Sequence, residues 1–164
     1  MMQSNKQEQQ TQSDSLSDSS TALQRLENFV SFYNGLSAQD LSILAQLYHP
    51  EVRFIDPVHQ MDGLAALQQY FAHAYARLDS CTFVAHAMAG QQQQGFVSWQ
   101  MQFSHQAIAA GALITVDGCT ELHWHQDGRI IYHRDYYDLT QMVYQHVPVV
   151  AWLTGKIKQK MAQA

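Results

Sequence analysis

Apolar side chains recur along this chain with two periods, and the change of period divides it. From about residue 21 to 78 they recur at helical spacing; from about 82 to 139 they alternate. Leu23, Leu26, Val30 and Tyr33, with Phe29 on their flank, predict a first helix. Thr21 with Gln24 resembles a capping box at its start, and Gly35 marks its end. Leu41, Leu44, Ala45, Leu47 and Tyr48 predict a second helix, capped by Ser37 and broken by Pro50. A short strand over 52–56 follows, and Pro57 biases Asp56 toward extended backbone. Leu64, Leu67, Phe71, Ala74 and Leu78 predict a third helix over 64–78.

The clearest alternation covers 96–105, where Val97, Trp99, Met101 and Phe103 interleave with Ser98, Gln100, Gln102 and Ser104. A loop around 109–111 leads into a strand over 113–125. Asp127-Gly128 then predicts a two-residue type I′ hairpin turn, which needs positive φ at both central residues. Gln126 would face Arg129, and ladder partners would carry numbers that sum to 255. Period-two alternation sorts the side chains onto two faces. One face takes Gly118, Thr120, Leu122, Trp124, Ile131, His133, Asp135 and Tyr137. The other takes Cys119, Glu121, His123, His125, Ile130, Tyr132, Arg134, Tyr136 and Asp138, with Glu121 placed to pair with Arg134. A last helix carries Val150, Leu153, Ile157 and Met161 in a stripe beside Lys156, Lys158 and Lys160. That stripe is expected to dock on the same domain or on a second subunit, rather than on a membrane.

Composition adds boundaries. Residues 1–20 are almost wholly polar and predict a disordered tail, because they cannot bury enough to offset ordering. The folded α+β domain is expected over 21–140, and 141–164 as a C-terminal amphipathic helical extension. Hydrophobic residues at 46% against 14% charged leave ample material for one core. A net charge of −5 argues against nucleic acid as a partner, since phosphate binding needs a basic surface. Cys81 and Cys119 make no disulfide framework or CxxC pattern. With no signal-peptide pattern and no apolar run of membrane length, a cytoplasmic location is expected.

Candidate chemistry gathers at a strand end and on one sheet face. Asp56, at the apolar end of a strand, reads either as a general base or as an acceptor for the turn that follows. Asp135, His133, Thr120 and Tyr137 share a face with Leu122 and Trp124, and Trp99 alternates inward beside them. A carboxylate in an apolar pocket is a useful acid or base; hydrogen-bonded to Thr120 or His133, it merely satisfies a buried group. His59 is placed at the pocket mouth by its position after Asp56-Pro57. His123 and His125 share a face but lack a third ligand, so no metal site is expected. No phosphate loop, dinucleotide fingerprint or nucleophile elbow is present, and no cofactor is expected.

Certain motifs carry a resemblance. They are Leu47-Tyr48-x-Pro50-x-Val52-x-Phe54-x-Asp56-Pro57, then Gly63, Trp124-x-x-Asp127-Gly128-Arg129-Ile130 and Asp135-Tyr136-Tyr137-Asp138. Over about residues 22–140 the chain resembles the nuclear-transport-factor-2-like superfamily and, within it, the SnoaL-like proteins. The resemblance implies a cone: three N-terminal helices on a curved, mostly antiparallel sheet around a pocket, with a homodimer burying the convex face. Members include ketosteroid isomerases, polyketide cyclases, epoxide hydrolases, dehydratases and binding proteins without catalysis. Fold does not choose among these. Asp56 falls where the ketosteroid isomerases hold their base, but their late Asp falls at Thr120 and their helix-one Tyr near Phe29 or Phe32. Asp135 matches the acid/base Asp of the cyclases. Arg134 and Asp135 point to opposite faces, which disfavours an epoxide-hydrolase relay. Two functions are therefore expected to compete. One is a cofactor-independent cyclase, isomerase or dehydratase using Asp56 or Asp135 on a small apolar carbonyl compound. The other is a non-catalytic module that binds a hydrophobic ligand or assists a partner enzyme.

Overall fold

The computed structural model describes residues 20–37 and 40–163. The expected tail falls almost entirely outside these residues. Helix α1 spans 20–35 and buries Ala22, Leu26, Phe29 and Tyr33 against the sheet. The buried stripe is thus centred on Phe29, while Leu23 is exposed. The second helix is shorter than its apolar pattern suggests. Helix α2 is Leu44–Leu47, and Tyr48 opens strand β1, Tyr48–Ile55. The cause is local: Pro50 pushes His49 toward extended backbone, so the chain leaves the helix early. Strand β2, Gln60–Asp62, folds back on β1, and α3, Leu64–Tyr75, follows Gly63 at φ 89. Leu67 and Phe71 are the fully buried positions of α3; Leu78 already belongs to the next strand.

Strands β3 (Leu78–Gln91), β4 (Gln94–His105), β5 (Ile114–Trp124) and β6 (Ile130–Tyr137) complete a six-stranded sheet in the order β2-β1-β6-β5-β4-β3. Every pairing is antiparallel except β1 with β6, which is parallel and irregular between Tyr48 and Arg53. Pro50 sits in that irregular stretch and has no N–H to give to a ladder. The α+β class and the mostly antiparallel sheet agree with the alternation in the chain.

The β5–β6 connection departs from expectation. His125 N–H donates to Arg129 O at 2.8 Å, so the loop holds three residues, Gln126, Asp127 and Gly128, of which Gly128 has φ 86. Asp127 does not take positive φ, so the turn is not type I′. Trp124 therefore pairs with Ile130. A bulge follows, and from His123–Tyr132 to Gly118–Tyr137 the partners sum to 255. The bulge exchanges the two isoleucines: Ile130 is fully buried and Ile131 is not. Glu121 does lie opposite Arg134, but no ion pair joins them. Glu121 accepts from Tyr136 and meets His123, while Arg134 lies 4.8 Å over the Tyr136 ring.

After β6 come the short helix α4, Leu139–Met142, and α5, Pro148–Ala162. No residue of α5 is fully buried, and Val149, Trp152, Leu153, Ile157 and Met161 are exposed. The expected docking of this stripe on its own domain is therefore not seen. The main core lies between α1, α3 and one face of the sheet; a smaller cluster forms around Phe103, Ile114 and Val116. No helix among the described residues is long and apolar enough to cross a membrane.

Candidate functional site

A cavity of about 250 Å³ opens between α1, α3 and the sheet. Its walls are aromatic and aliphatic: Phe54, Phe71, Phe83, Trp99, Met101, Phe103 and Ile108 among others. Its polar groups are few. Asp56 and Asp135 reach it, with Tyr70, Tyr75 and Tyr137, Tyr33, Cys81 and His105. Few polar groups on an apolar wall suit a small ligand that is oriented by one or two hydrogen bonds. Burial pushes the Cys81 thiol up to about 11, and raises the Tyr75 and Tyr137 hydroxyls above the ordinary phenol range. The neighbouring Asp56 and Asp135 add to the shift of Tyr137.

The two carboxylates are held differently. Asp56 directly follows β1, and its side chain is only 2% exposed. Its Oδ1 accepts from Val58 N–H at 2.7 Å and His59 N–H at 2.6 Å, and its Oδ2 from the Tyr70 hydroxyl at 2.6 Å. Its own N–H donates to His59 O at 2.9 Å. Both oxygens are thus committed to the turn after Pro57 and to α3. The Tyr70 hydroxyl is raised well above the usual range, first by burial and then by its bond to Asp56.

Asp135 lies mid-strand in β6, and two hydrogen-bond chains converge on its Oδ1. In the first, Trp99 Nε1–H donates to Thr120 Oγ1 at 2.8 Å, and Thr120 donates to Asp135 at 2.5 Å. The indole N–H can only donate, which sets the direction of this chain. Trp99 reaches Thr120 because Gly118, its ladder partner, leaves room: a Cβ there would collide with the indole ring. The second chain runs through the core. His133 Nε2 lies 2.9 Å from Asp135 Oδ1, His133 Nδ1 2.7 Å from the Tyr48 hydroxyl, and that hydroxyl 2.5 Å from Tyr33. With Asp135 ionised, His133 donates from Nε2 and accepts from Tyr48, which accepts from Tyr33. Burial raises both phenols, so they remain protonated donors. Asp135 Oδ2 has no hydrogen-bond partner among the described residues, and neither do the hydroxyls of Tyr75 and Tyr137.

The structure brings Asp56, Asp135, Trp99 and Tyr137 to one cavity. Thr120 and His133 stand just behind Asp135, each 1% exposed. Leu122 and Trp124 do not line the cavity. They share its sheet face but lie in the main core, where Arg25 of α1 covers the Trp124 ring. His59 is not at the cavity wall; its backbone serves the Asp56 turn and its half-exposed ring packs on Tyr70 at 5.0 Å. Sequence reasoning missed four phenols. Tyr33, not Phe29 or Phe32, is the helix-one ring at the cavity; Tyr48 links it to His133; Tyr70 holds Asp56; Tyr75 brings a further hydroxyl to the cavity. Tyr33 and Tyr48 left only the signal of apolar positions at helical spacing. Arg134 is exposed, away from Asp135.

Solved structures with this arrangement of helices and strands show the fold. A protein described only provisionally as a SnoaL-like polyketide cyclase, from Jannaschia sp. CCS1, superposes with TM-score 0.65 at 14% identity, covering 79% of this chain and 93% of its own. A protein with a ketosteroid isomerase-like fold from Catenulispora acidiphila, in complex with trimethylamine, gives 0.63 at 14%, covering 74% of this chain and 90% of its own. TerC, co-crystallised with polyporic acid, gives 0.60 at 17%, covering 72% and 94%. None of the curated proteins matches the chain. The family model described as the SnoaL-like domain matches residues 29–133, well over half the chain, and the chain belongs to that family.

Proposed function

We propose that this protein binds a small, largely apolar carbonyl compound in its cavity and moves a proton on it with Asp135. One observation carries the reading: Asp135 alone presents a carboxylate oxygen to the cavity that no described protein group occupies. Its Oδ1 is anchored by Thr120 and His133, which aims Oδ2 while leaving its lone pairs for a ligand. A general base needs that combination of fixed direction and open oxygen. The Tyr137 and Tyr75 hydroxyls supply donors for a carbonyl oxygen as negative charge develops on it. His133, Thr120 and Tyr48 act as positioning residues through Asp135. The steps open to this set are proton abstraction beside a carbonyl and proton return at a second atom, as in isomerisation, cyclisation or dehydration. The trimethylamine and polyporic acid bound by two structural neighbours support a small-molecule role for this fold.

A second reading, binding without chemistry, is favoured by Asp56, whose oxygens are all committed. Native mass spectrometry on the purified full chain, followed by proton NMR of the captured compound in D₂O, separates the two. Catalysis by Asp135 requires a compound with an enolisable carbonyl and protein-dependent deuterium uptake beside it. A captured compound that lacks a carbonyl, or one that takes up no deuterium, supports binding alone.

A further inference from the structure

At the opposite end of β1 from the cavity, three metal-ligating side chains from two distant segments converge. His49 is the second residue of β1, and His125 and Asp127 belong to the β5–β6 connection. One ligand atom from each, a ring nitrogen of either histidine and a carboxylate oxygen of Asp127, lies within 4.8 Å of the other two. The two imidazole rings are 4.4 Å apart between centroids, and His125 Nδ1 is 3.1 Å from Asp127 Oδ1.

Asp127 is already oriented from behind. Glu51 N–H donates to His49 Nδ1 at 3.2 Å, so an ion is bound either by Nδ1 in place of that N–H or by Nε2 once the ring proton moves to Nδ1. Arg129 donates to Asp127 Oδ2 from Nε at 2.8 Å and from Nη2 at 2.6 Å. That grip leaves Oδ1, which accepts from Arg129 N–H at 3.0 Å, turned toward His125. Bonds of this kind fix carboxylate orientation in metal sites. Gly128, at φ 86, lets the loop fold Asp127 back over its neighbours. Two imidazoles and one carboxylate are a donor set for borderline transition-metal ions; magnesium and calcium take oxygen ligands instead.

We propose that His49, His125 and Asp127 bind a divalent transition-metal ion of the zinc class, with water completing the coordination. Its effect is structural. The β1–β6 ladder is irregular between Tyr48 and Arg53, so the start of β1 is thinly tied. An ion there fastens β1 to the β5–β6 loop. Asp56 lies seven residues further along, roughly 23 Å in an extended strand, so the ion does not enter the cavity.

The test uses the full chain, untagged and stripped with a chelator. Zinc chloride is titrated by calorimetry in a non-chelating buffer, and thermal melting is followed with and without it. The expected result is saturable binding of one ion per chain near micromolar affinity and a rise in Tm. His49→Ala and His125→Ala should each weaken binding by about tenfold or more. His123→Ala, on the neighbouring strand β5 but bonded to Glu121, should change neither binding nor the rise in Tm. If an alanine variant fails to fold, the corresponding glutamine variant replaces it. Absence of saturable binding overturns the proposal, as does wild-type affinity in both histidine variants or an equal loss in His123→Ala.

Discussion

Asp56 and Asp135 face one cavity, yet one is built into the fold and the other is presented by it. Asp56 spends Oδ1 on two backbone N–H groups and Oδ2 on Tyr70. Asp135 takes both of its hydrogen bonds on Oδ1 and keeps Oδ2 open. The difference follows from where each sits. A strand end followed by proline leaves backbone donors that a carboxylate must satisfy. A mid-strand residue has its backbone neighbours paired in the ladder, so its side chain answers only to other side chains. Position in the chain, rather than closeness to the pocket, decides which acid keeps an oxygen open.

The two acids should carry unequal stability costs. Asp56→Ala should leave two turn N–H groups and the part-buried Tyr70 hydroxyl without an acceptor, at a cost of about 3 kcal/mol in urea unfolding. Asp135→Ala takes the acceptor from two donors, Thr120 and His133, rather than three, and should cost less. Equal costs would break the distinction between the two.

A pH series sharpens it from the cavity side. Burial raises the Cys81 thiol from 9.0 to about 11. The unfolded chain then loses this proton first as pH rises. The thiol's contribution is fully present below pH 9, falls away between pH 9 and about 11, and amounts to at most about 3 kcal/mol. Wild type should lose stability across that window by this margin more than Cys81→Ala. A flat difference would mean that the thiol is hydrated and the cavity wet at Cys81.

Smaller effects should come from single links. Gly118→Ala should displace the Trp99 indole and cost about 1–2 kcal/mol, read as a shift in tryptophan fluorescence together with Tm. Tyr48→Phe should remove two bonds in the chain behind Asp135, to His133 and from Tyr33, for about 1–2 kcal/mol. As a positioning change it should lower turnover more than ligand affinity; an unchanged rate would make that chain purely structural.

Much of this arrangement is legible in the sequence. Alternation over 96–105 identifies the inward side of β4, and the β5–β6 register puts Asp135 and Tyr137 on one face and Arg134 on the other. That register is correct although the turn is not the expected one, because the extra loop residue is compensated by the bulge at Ile131. What fails depends on depth. Period two says which side of a sheet a residue faces, and not whether a helix covers it; Leu122 and Trp124 share the face of Asp135 but lie in the core beneath α1. Tyr48 is hidden for another reason. It continues the helical stripe of Leu41, Leu44 and Leu47, and only Pro50 ends the helix before it. The hydrogen bonds that distinguish the two carboxylates belong to chains joining residues up to 85 positions apart, which no local pattern encodes.

The most direct measurement is the rate of deuterium uptake on the captured carbonyl compound by wild type, Asp135→Asn and Asp56→Asn, with affinity measured alongside. If Asp135 is the base, Asp135→Asn binds the compound and loses roughly two orders of magnitude or more in rate, while Asp56→Asn keeps most of its rate once folded. An Asp135→Asn protein that exchanges at the wild-type rate, or an Asp56→Asn protein that folds and binds but does not exchange, would contradict that assignment.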